Sequence, residues 1–245
     1  MKRYIPIQVA RGDASRQAHT GLPEGTFERE MSKEGFFGPA AHFYHKRPPT
    51  GWCDWEGPLR PRAFDLARLN NTEGSPWDAP VVLHNSHVSI RFWRMPKLMD
   101  HLVRNSDGDD LIFVHEGQGN LFCDFGHLAF EAGDYIVIPR GTMWRLECSK
   151  ATTALLVEAT NSTYTLPDKG IVGNHAIFDP ALLDAPEIDD AFAAQRDEDA
   201  SWHVVVKRSG EVSKIFYPHN PLDVIGWKGD LSVVRINVKD IRPLS

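Results

Sequence analysis

Two histidine pairs are the first residues whose types and spacing could bind a metal ion. His84 and His87 are three residues apart, and His42 and His45 repeat that spacing. On a helix this spacing would place both imidazoles on one face. The residues around the first pair favour a strand, on which positions i and i+3 point to opposite faces. The second pair lies in an irregular segment with the same difficulty, so we expect neither pair to share a metal.

The remaining histidines carry no recognisable ligand spacing. His219 lies in a segment, 217–230, that is dense in Pro, Gly and Trp. Such a segment is typical of a shaped site or interface and equally of a structural turn, so both interpretations stay open. The sequence contains no phosphate loop, dinucleotide fingerprint or nucleophile elbow, and we assign no catalytic, cofactor-binding or metal-ligating residue. Five isolated histidines are expected on the surface or hydrogen-bonded in the core: His101, His115, His127, His175 and His203.

Two segments resemble the paired motifs of the cupins, which are small double-stranded β-sandwich barrels. The first segment is 110–117. The second, 133–144, has Gly-Asp, Ile, Pro and Gly at the spacing of the second cupin motif. Glycine and proline turns at these positions would end short buried strands. The sequence therefore predicts a mainly β protein with a cupin-like double-stranded β-sandwich barrel.

The same comparison predicts that this barrel binds no metal. Metal-binding cupins carry a His-x-His pair, an acidic residue and a final histidine. Asp110 occupies the acidic position, Arg104 and Ser106 stand in place of the pair with Asn105 between them, and Trp144 replaces the final histidine. A divalent metal needs several imidazole or carboxylate donors, and a guanidinium would repel it. We therefore expect the barrel to be structural or to bind a ligand without metal.

A longer, ordered set of motifs resembles the N-terminal domain of the homogentisate 1,2-dioxygenase family, and its bacterial branch in particular. The segment 220–230 resembles that family's junction into its C-terminal domain. The resemblance extends from about residue 35 to residue 240. The motifs that carry it are 105–121, 124–126, 133–141 and 166–168.

The resemblance implies an enzyme that uses mononuclear Fe(II) and O2 to open the ring of homogentisate or a related hydroquinone-type acid, in phenylalanine and tyrosine degradation. The family holds iron through two His and one Glu. Those ligands lie C-terminal to the segment 220–230, so none can be carried onto a position of this sequence. The resemblance therefore predicts that the 245-residue chain alone is inactive, and it suggests a homo-oligomer, a trimer or a hexamer.

Several functional hypotheses remain open at this point. The abrupt stop at 240–245 favours a fragment of a longer dioxygenase over a shortened, non-catalytic relative. A metal-free cupin that binds a small molecule is the main alternative. A different enzyme that uses the region of His84 and His87 is a third.

Composition and charge exclude several classes of protein. The chain has 27 basic and 33 acidic side chains, a net charge of −6, which argues against a nucleic-acid binder or a binder of anionic membranes. No apolar run reaches the ~20 residues of a membrane helix, and the short basic start is not a signal peptide. Three widely spaced cysteines indicate reduced thiols that serve as small core residues, in a cytoplasmic protein.

The pattern of the chain predicts four regions. Residues 1–60 form an extended arm, 61–183 the metal-free sandwich, 184–200 an acidic linker, and 201–245 the start of a second β unit that either joins the first sandwich or is incomplete. Short apolar runs between turns predict most of the strands. The arm could contact other subunits through its aromatic residues: Phe36, Phe37, Phe43, Tyr44, Trp52 and Trp55.

Overall fold

The computed structural model describes residues 9–35, 37–59, 62–69, 72–167, 173–196 and 199–242. The chain divides into two compact units, Met1–Phe64 and Asp65–Ser245. In the first unit, the segment predicted as an extended arm forms an antiparallel hairpin of β1 (Phe27–Glu34) and β2 (Phe37–His45). Gly35, in the hairpin turn, has φ +64°, a conformation that glycine adopts without steric cost.

The second unit is built from two six-stranded sheets, which confirms the predicted mainly β, cupin-like fold. In spatial order, sheet 1 contains β3 (Val81–His84), β4 (Val88–Met95), β11 (Thr152–Thr160), β6 (Gly108–Glu116), β9 (Asp134–Ile138) and β14 (Val234–Asn237). Sheet 2 contains β13 (Glu211–Tyr217), β12 (Trp202–Arg208), β5 (Leu102–Asn105), β10 (Met143–Cys148), β7 (Gln118–Cys123) and β8 (Gly126–Glu131). All these neighbours pair antiparallel except β5 and β12, which are parallel.

The main core lies between the two sheets. Alternate residues of each strand face inward, because the side chains of a strand alternate between its two faces. Ile112 and Leu156 of sheet 1 join Leu121 and Leu146 of sheet 2 in one buried cluster. Each is 0–1% exposed, and burying a side chain of this size contributes about 1.5–3 kcal/mol.

The acidic segment 184–200 differs from the predicted solvated linker. Its described part contains α1 (Asp190–Arg196), and Phe192 of this helix is fully buried against the outer face of sheet 2, beside Leu102 and Phe122. The Asp189 carboxylate accepts a hydrogen bond from the Phe192 amide at 2.8 Å, which fixes the helix start. The Phe192 side chain therefore attaches this acidic segment to sheet 2. The charges of the segment alone would have predicted a solvent-exposed linker. Asp197 and Glu198 lie outside the described residues.

Residues 201–242 do not begin a separate β unit in the structure. Strand β12 pairs with β5 and β14 pairs with β9, so these strands extend both sheets. Val205 and Val233 enter the main core. Strand β12 is apolar on both faces: Val205 faces the main core, and Val204 faces the cluster around α1.

All three cysteines are free. Cys123 and Cys148 are buried core residues and Cys53 is exposed. Burial raises the pKa of the Cys123 thiol to about 12, so this thiol is unreactive near neutral pH. Within the part of the chain that the structure describes, no helix is both long enough and apolar enough to cross a membrane.

Candidate functional site

The interior positions of the sandwich differ by one residue from those inferred by motif comparison. Val103 belongs to the main core, and the Asn105 amide reaches Asp110 and Glu158 inside the sandwich. By strand alternation Arg104 points to the other face of sheet 2, where its partner on β10, Met143, also lies. Arg104 therefore does not repel cations from the interior. The inward positions of β5 are instead occupied by an apolar residue and an amide.

Indole rings fill the remaining space of the interior. Trp144, at the position of the final cupin histidine, is 0% exposed and packs edge-on against Trp93 with ring centroids 6.1 Å apart. At the four cupin ligand positions, the residues Val103, Asn105, Asp110 and Trp144 thus offer one carboxylate and one amide. Iron in proteins of this type prefers imidazole and carboxylate ligands, so the donor set does not fit it.

The carboxylates of the interior are held in a closed polar network. Lys207 Nζ lies 2.6 Å from Asp107 Oδ2 and 2.8 Å from Glu158 Oε2. Asn105 Nδ2 donates to Asp110 Oδ1 at 2.9 Å and to Glu158 Oε2 at 3.1 Å. Burial raises the pKa of Asp110 to about 8, so its carboxyl is largely protonated at pH 7. A protonated carboxyl and ion-paired carboxylates are poor metal ligands, and we read this network as structural.

A pocket of about 350 Å³ lies on the outer face of sheet 1. Phe92 and Phe113 line it, with His115 at the end of β6. Arg94 also lines the pocket and donates to the Leu69 and Ala67 carbonyls, which holds that short segment beside the sheet. Glu116 lines the pocket as well, so two aromatic rings lie next to an arginine, a histidine and a carboxylate. This pocket has no sequence signal, since its residues come from three strands and a turn.

The predicted histidine positions do not form a common site. His84 and His87 are both exposed, and the turn between β3 and β4 is closed by Asn85, whose side chain accepts from the His87 amide at 2.8 Å. His219 is exposed beside Tyr217, with ring centroids 5.9 Å apart. The next residue, Asn220, is 2% exposed and anchors the segment by donating to the Gln195 carbonyl. The segment is therefore anchored to the body of the second unit, and this anchoring is a structural role.

Most of the isolated histidines are hydrogen-bonded or stacked. His127 bonds Asp189 at 2.7 Å and Asn120 at 2.9 Å. His101 is buried and stacks on His203 with ring centroids 5.3 Å apart. His175 lies 3.2 Å from Asp179, and His115 lines the outer pocket.

A cluster that the sequence analysis missed lies in the first unit. His19, Glu30 and His42 each offer one ligand atom, and these atoms lie within 4.8 Å of one another. His42 does not share the cluster with His45, in line with the expectation for residues three apart on a strand. The sequence alone does not show which residues meet His42. Glu30 lies directly opposite His42 in the hairpin, and His19 comes from the preceding segment.

Comparison with known proteins gives several relatives. A homogentisate 1,2-dioxygenase of Bradyrhizobium diazoefficiens is 28% identical over 148 residues, 60% of this chain and 32% of that protein. A protein of Saccharolobus solfataricus, named provisionally as a dioxygenase, is 24% identical over 96% of this chain and 65% of its own length. The chain thus spans about a third to two thirds of the length of these relatives.

Solved structures give a more distant likeness. A cupin-2 domain protein of Shewanella frigidimarina is 18% identical with a TM-score of 0.32, covering 37% of this chain and 85% of that chain. That likeness is too weak to carry an argument about function. The family model described as homogentisate 1,2-dioxygenase N-terminal matches residues 78–237, which is more than half of the chain. The chain therefore belongs to the homogentisate 1,2-dioxygenase family, through its N-terminal region.

Proposed function

We propose that this chain is the N-terminal part of a ring-cleaving dioxygenase that acts with O2 on homogentisate or a related hydroquinone-type acid. The observation that carries the proposal is the family match over residues 78–237. The reaction class is extradiol-type cleavage in the degradation of phenylalanine and tyrosine. The names of the relatives support the dioxygenase class. The choice of homogentisate or a related acid as the substrate rests on the resemblance.

The Fe(II) of such an enzyme would be held by residues outside this chain. At the four positions where metal-binding cupins carry their ligands, the sandwich has Val103, Asn105, Asp110 and Trp144, a set that does not fit iron. The sandwich then serves as a scaffold for the part that binds iron, and the 245-residue chain alone is inactive. No step of the reaction is assigned to residues of the sandwich.

The partners in this proposal are O2, a small aromatic acid and further copies of the chain. Trp52 is 60% exposed and Trp55 is 42% exposed in the first unit, which suits a contact with another subunit in a trimer or hexamer. The side chains of Phe36 and Phe37, predicted for the same role, lie outside the described residues. The three free cysteines and the moderate negative charge support a cytoplasmic location without nucleic-acid or membrane partners.

Oxygen uptake tests the proposal directly. The purified 245-residue protein is given Fe(II) anaerobically, then homogentisate in air-saturated buffer, and O2 is followed with an electrode. We expect no uptake above the iron blank. A polypeptide in which this chain is followed by the iron-binding part of a family member is expected to consume one O2 per homogentisate. Turnover by the 245-residue protein alone would overturn the proposal.

The outer pocket supports a second candidate, a metal-free domain that binds a small aromatic acid. The observation that favours it is the arrangement of Phe92, Phe113 and Arg94 around a cavity of about 350 Å³. Saturable quenching of tryptophan fluorescence by homogentisate is expected, with affinity lost in Phe113→Ala. His175→Ala, outside the pocket, is the control and keeps the affinity. Equal affinities in both variants would exclude this pocket.

A further inference from the structure

The N-terminal hairpin presents a polar face built by strand register. Glu30 pairs with His42 and Glu28 pairs with Tyr44 across β1 and β2. Residues two apart on a strand share a face, so Glu28, Glu30, His42 and Tyr44 all lie on the same side of the hairpin. Directly opposed side chains on one face have Cβ atoms about 4.5–5.5 Å apart, which is close enough for a shared ligand.

The segment before the hairpin folds across this face. Ser15 Oγ lies 2.5 Å from the Tyr44 hydroxyl, and His19 Nδ1 lies 2.7 Å from Glu28 Oε2. His19 has φ +64°, an uncommon conformation for a residue with a side chain. The imidazole is thereby brought next to the two glutamates.

Four donors from three segments meet here. His19 Nε2 lies 3.7 Å from Glu30 Oε2, and His42 Nδ1 lies 3.2 Å from Glu28 Oε1. Ligand atoms about 2.1 Å from one ion are at most about 4.2 Å apart, compared with the 4.8 Å within which His19, Glu30 and His42 now lie. The His19 side chain is 63% exposed and can rotate to close the remaining gap.

One donor of the cluster lacks the hydrogen bond that its position would suggest. His42 Nδ1 is buried from solvent and makes no hydrogen bond, although Glu28 Oε1 is 3.2 Å away. A buried polar nitrogen without a hydrogen bond is costly, and a bound ion is one way to satisfy it. An ion that bridges this nitrogen and the facing carboxylate would satisfy both.

The charge of the face also favours a cation. Glu28 and Glu30 contribute two negative charges, and the cationic side chain between them, Arg29, points to the opposite face. There it lies over the Phe43 ring at 4.5 Å and reaches the His45 ring. The two carboxylate charges match the charge of a divalent ion. The mixed nitrogen and oxygen donor set suits first-row transition metals better than Mg²⁺ or Ca²⁺.

We propose that His19, Glu30 and His42, with Glu28 as an adjacent carboxylate, form a binding site for a divalent first-row transition metal. The site lies wholly within the first unit, and its residues are assigned no part in the dioxygenase chemistry proposed above. The ion links the segment before β1 to both strands of the hairpin. Its role is to fix that segment on the hairpin.

Co²⁺ titration of the full 245-residue protein, after removal of metals with a chelator, tests the site. Co²⁺ reports its own coordination through visible absorption bands. We expect the bands to saturate at one equivalent. His42→Gln and Glu30→Gln are each expected to weaken binding by roughly 10-fold to 100-fold, since even residues that only support a ligand have effects of that size. His45→Gln, on the same strand but facing Arg29, is the matched control and should bind as the unaltered protein does.

The outcomes separate clearly. Far-UV circular dichroism establishes that each variant keeps the fold, and Glu30→Gln serves as a second variant if His42→Gln does not fold. Absence of saturable Co²⁺ bands in the unaltered protein would overturn the site. Equal losses in His45→Gln and His42→Gln would do so as well. None of these readouts involves O2 uptake, so the result is independent of the dioxygenase proposal.

Discussion

The interior of the sandwich and the polar face of the hairpin use carboxylates in opposite ways. In the sandwich, Asp107 and Glu158 are buried and share Lys207, while Asn105 binds the neighbouring Asp110. On the hairpin, two glutamates face two imidazoles, and the nearby arginine points away. In the sandwich a lysine or a proton neutralises the carboxylates, whereas on the hairpin the carboxylates face imidazoles, which can share a metal with them. Four changes would break or sharpen this comparison.

The largest effect is expected from Lys207→Met. Removal of the ammonium leaves Asp107 and Glu158 buried without their cation, which costs about 3–5 kcal/mol of unfolding free energy. Urea denaturation measures the loss. Lys239→Met removes the exposed lysine paired with Glu131 and should leave the midpoint unchanged. Similar small shifts in both variants would show that the buried network is not structural.

Trp144→His restores the final histidine of the cupin motif at an inward position. The loss of packing against Trp93 should lower the unfolding free energy by about 3 kcal/mol. No additional Co²⁺ should bind, because Val103 and Asn105 supply no further imidazole. A second equivalent of bound Co²⁺ would contradict our account of the interior.

Asp110→Asn tests the protonated carboxyl through pH. The pKa of Asp110 is about 8 in the folded protein against a model value of 3.8, so folding takes up a proton between about pH 4 and pH 8. The contribution of Asp110 to stability therefore falls as pH rises through that window and levels off above it. Asparagine has no such proton. As the pH rises through this window, the free energy of unfolding of the variant therefore increases relative to that of the unaltered protein by on the order of 1 kcal/mol per pH unit.

Urea midpoints of both proteins at pH 5, 6, 7 and 8 measure this difference. Parallel curves would mean that Asp110 is ionised in the folded state, and the contrast with the hairpin carboxylates would then disappear.

His19→Gln is expected to have the smallest effect on the metal-free protein. The ring is 63% exposed, so the melting temperature in chelator should change by less than the equivalent of about 0.5 kcal/mol. A metal that binds only the folded state raises the melting temperature, and this rise under excess Co²⁺ should be lost in the variant. A rise of equal size in the variant would remove His19 from the site.

The sequence predicts the strands of the sandwich well because their signal is local. Short apolar runs define β6, β9 and β11 without knowledge of their partners, and glycine-containing turns follow the first two. It does not predict which residues of β5 face inward, since that register depends on pairing with β10 and β12. A shift of one residue exchanges the two faces of a strand, so Arg104 and Ser106 were expected where Val103 and Asn105 lie.

The hairpin cluster depends on contacts between distant segments and was missed for that reason. His19, Glu30 and His42 share no spacing motif, and the segment lacks helical periodicity. A usable signal was present: Glu28 and Glu30 alternate before the turn at Gly35, and a histidine follows on the returning strand. The burial of Phe192 was equally hidden, because it lies in a segment rich in acidic residues.

The long-range completion of the two sheets has a consequence for synthesis. Lys207 follows its partner Asp107 by 100 residues, and β14 follows β9 at a similar separation. A ribosome therefore exposes β5 and β9 as open strand edges, with two unpaired acidic groups, until residues 202–237 have emerged. Non-local pairing of this kind folds slowly, and open edges promote association between chains. Nascent chains that stop before β12 should accordingly be degraded or aggregate. The pairing of the final strands is then the step that decides the yield of folded protein.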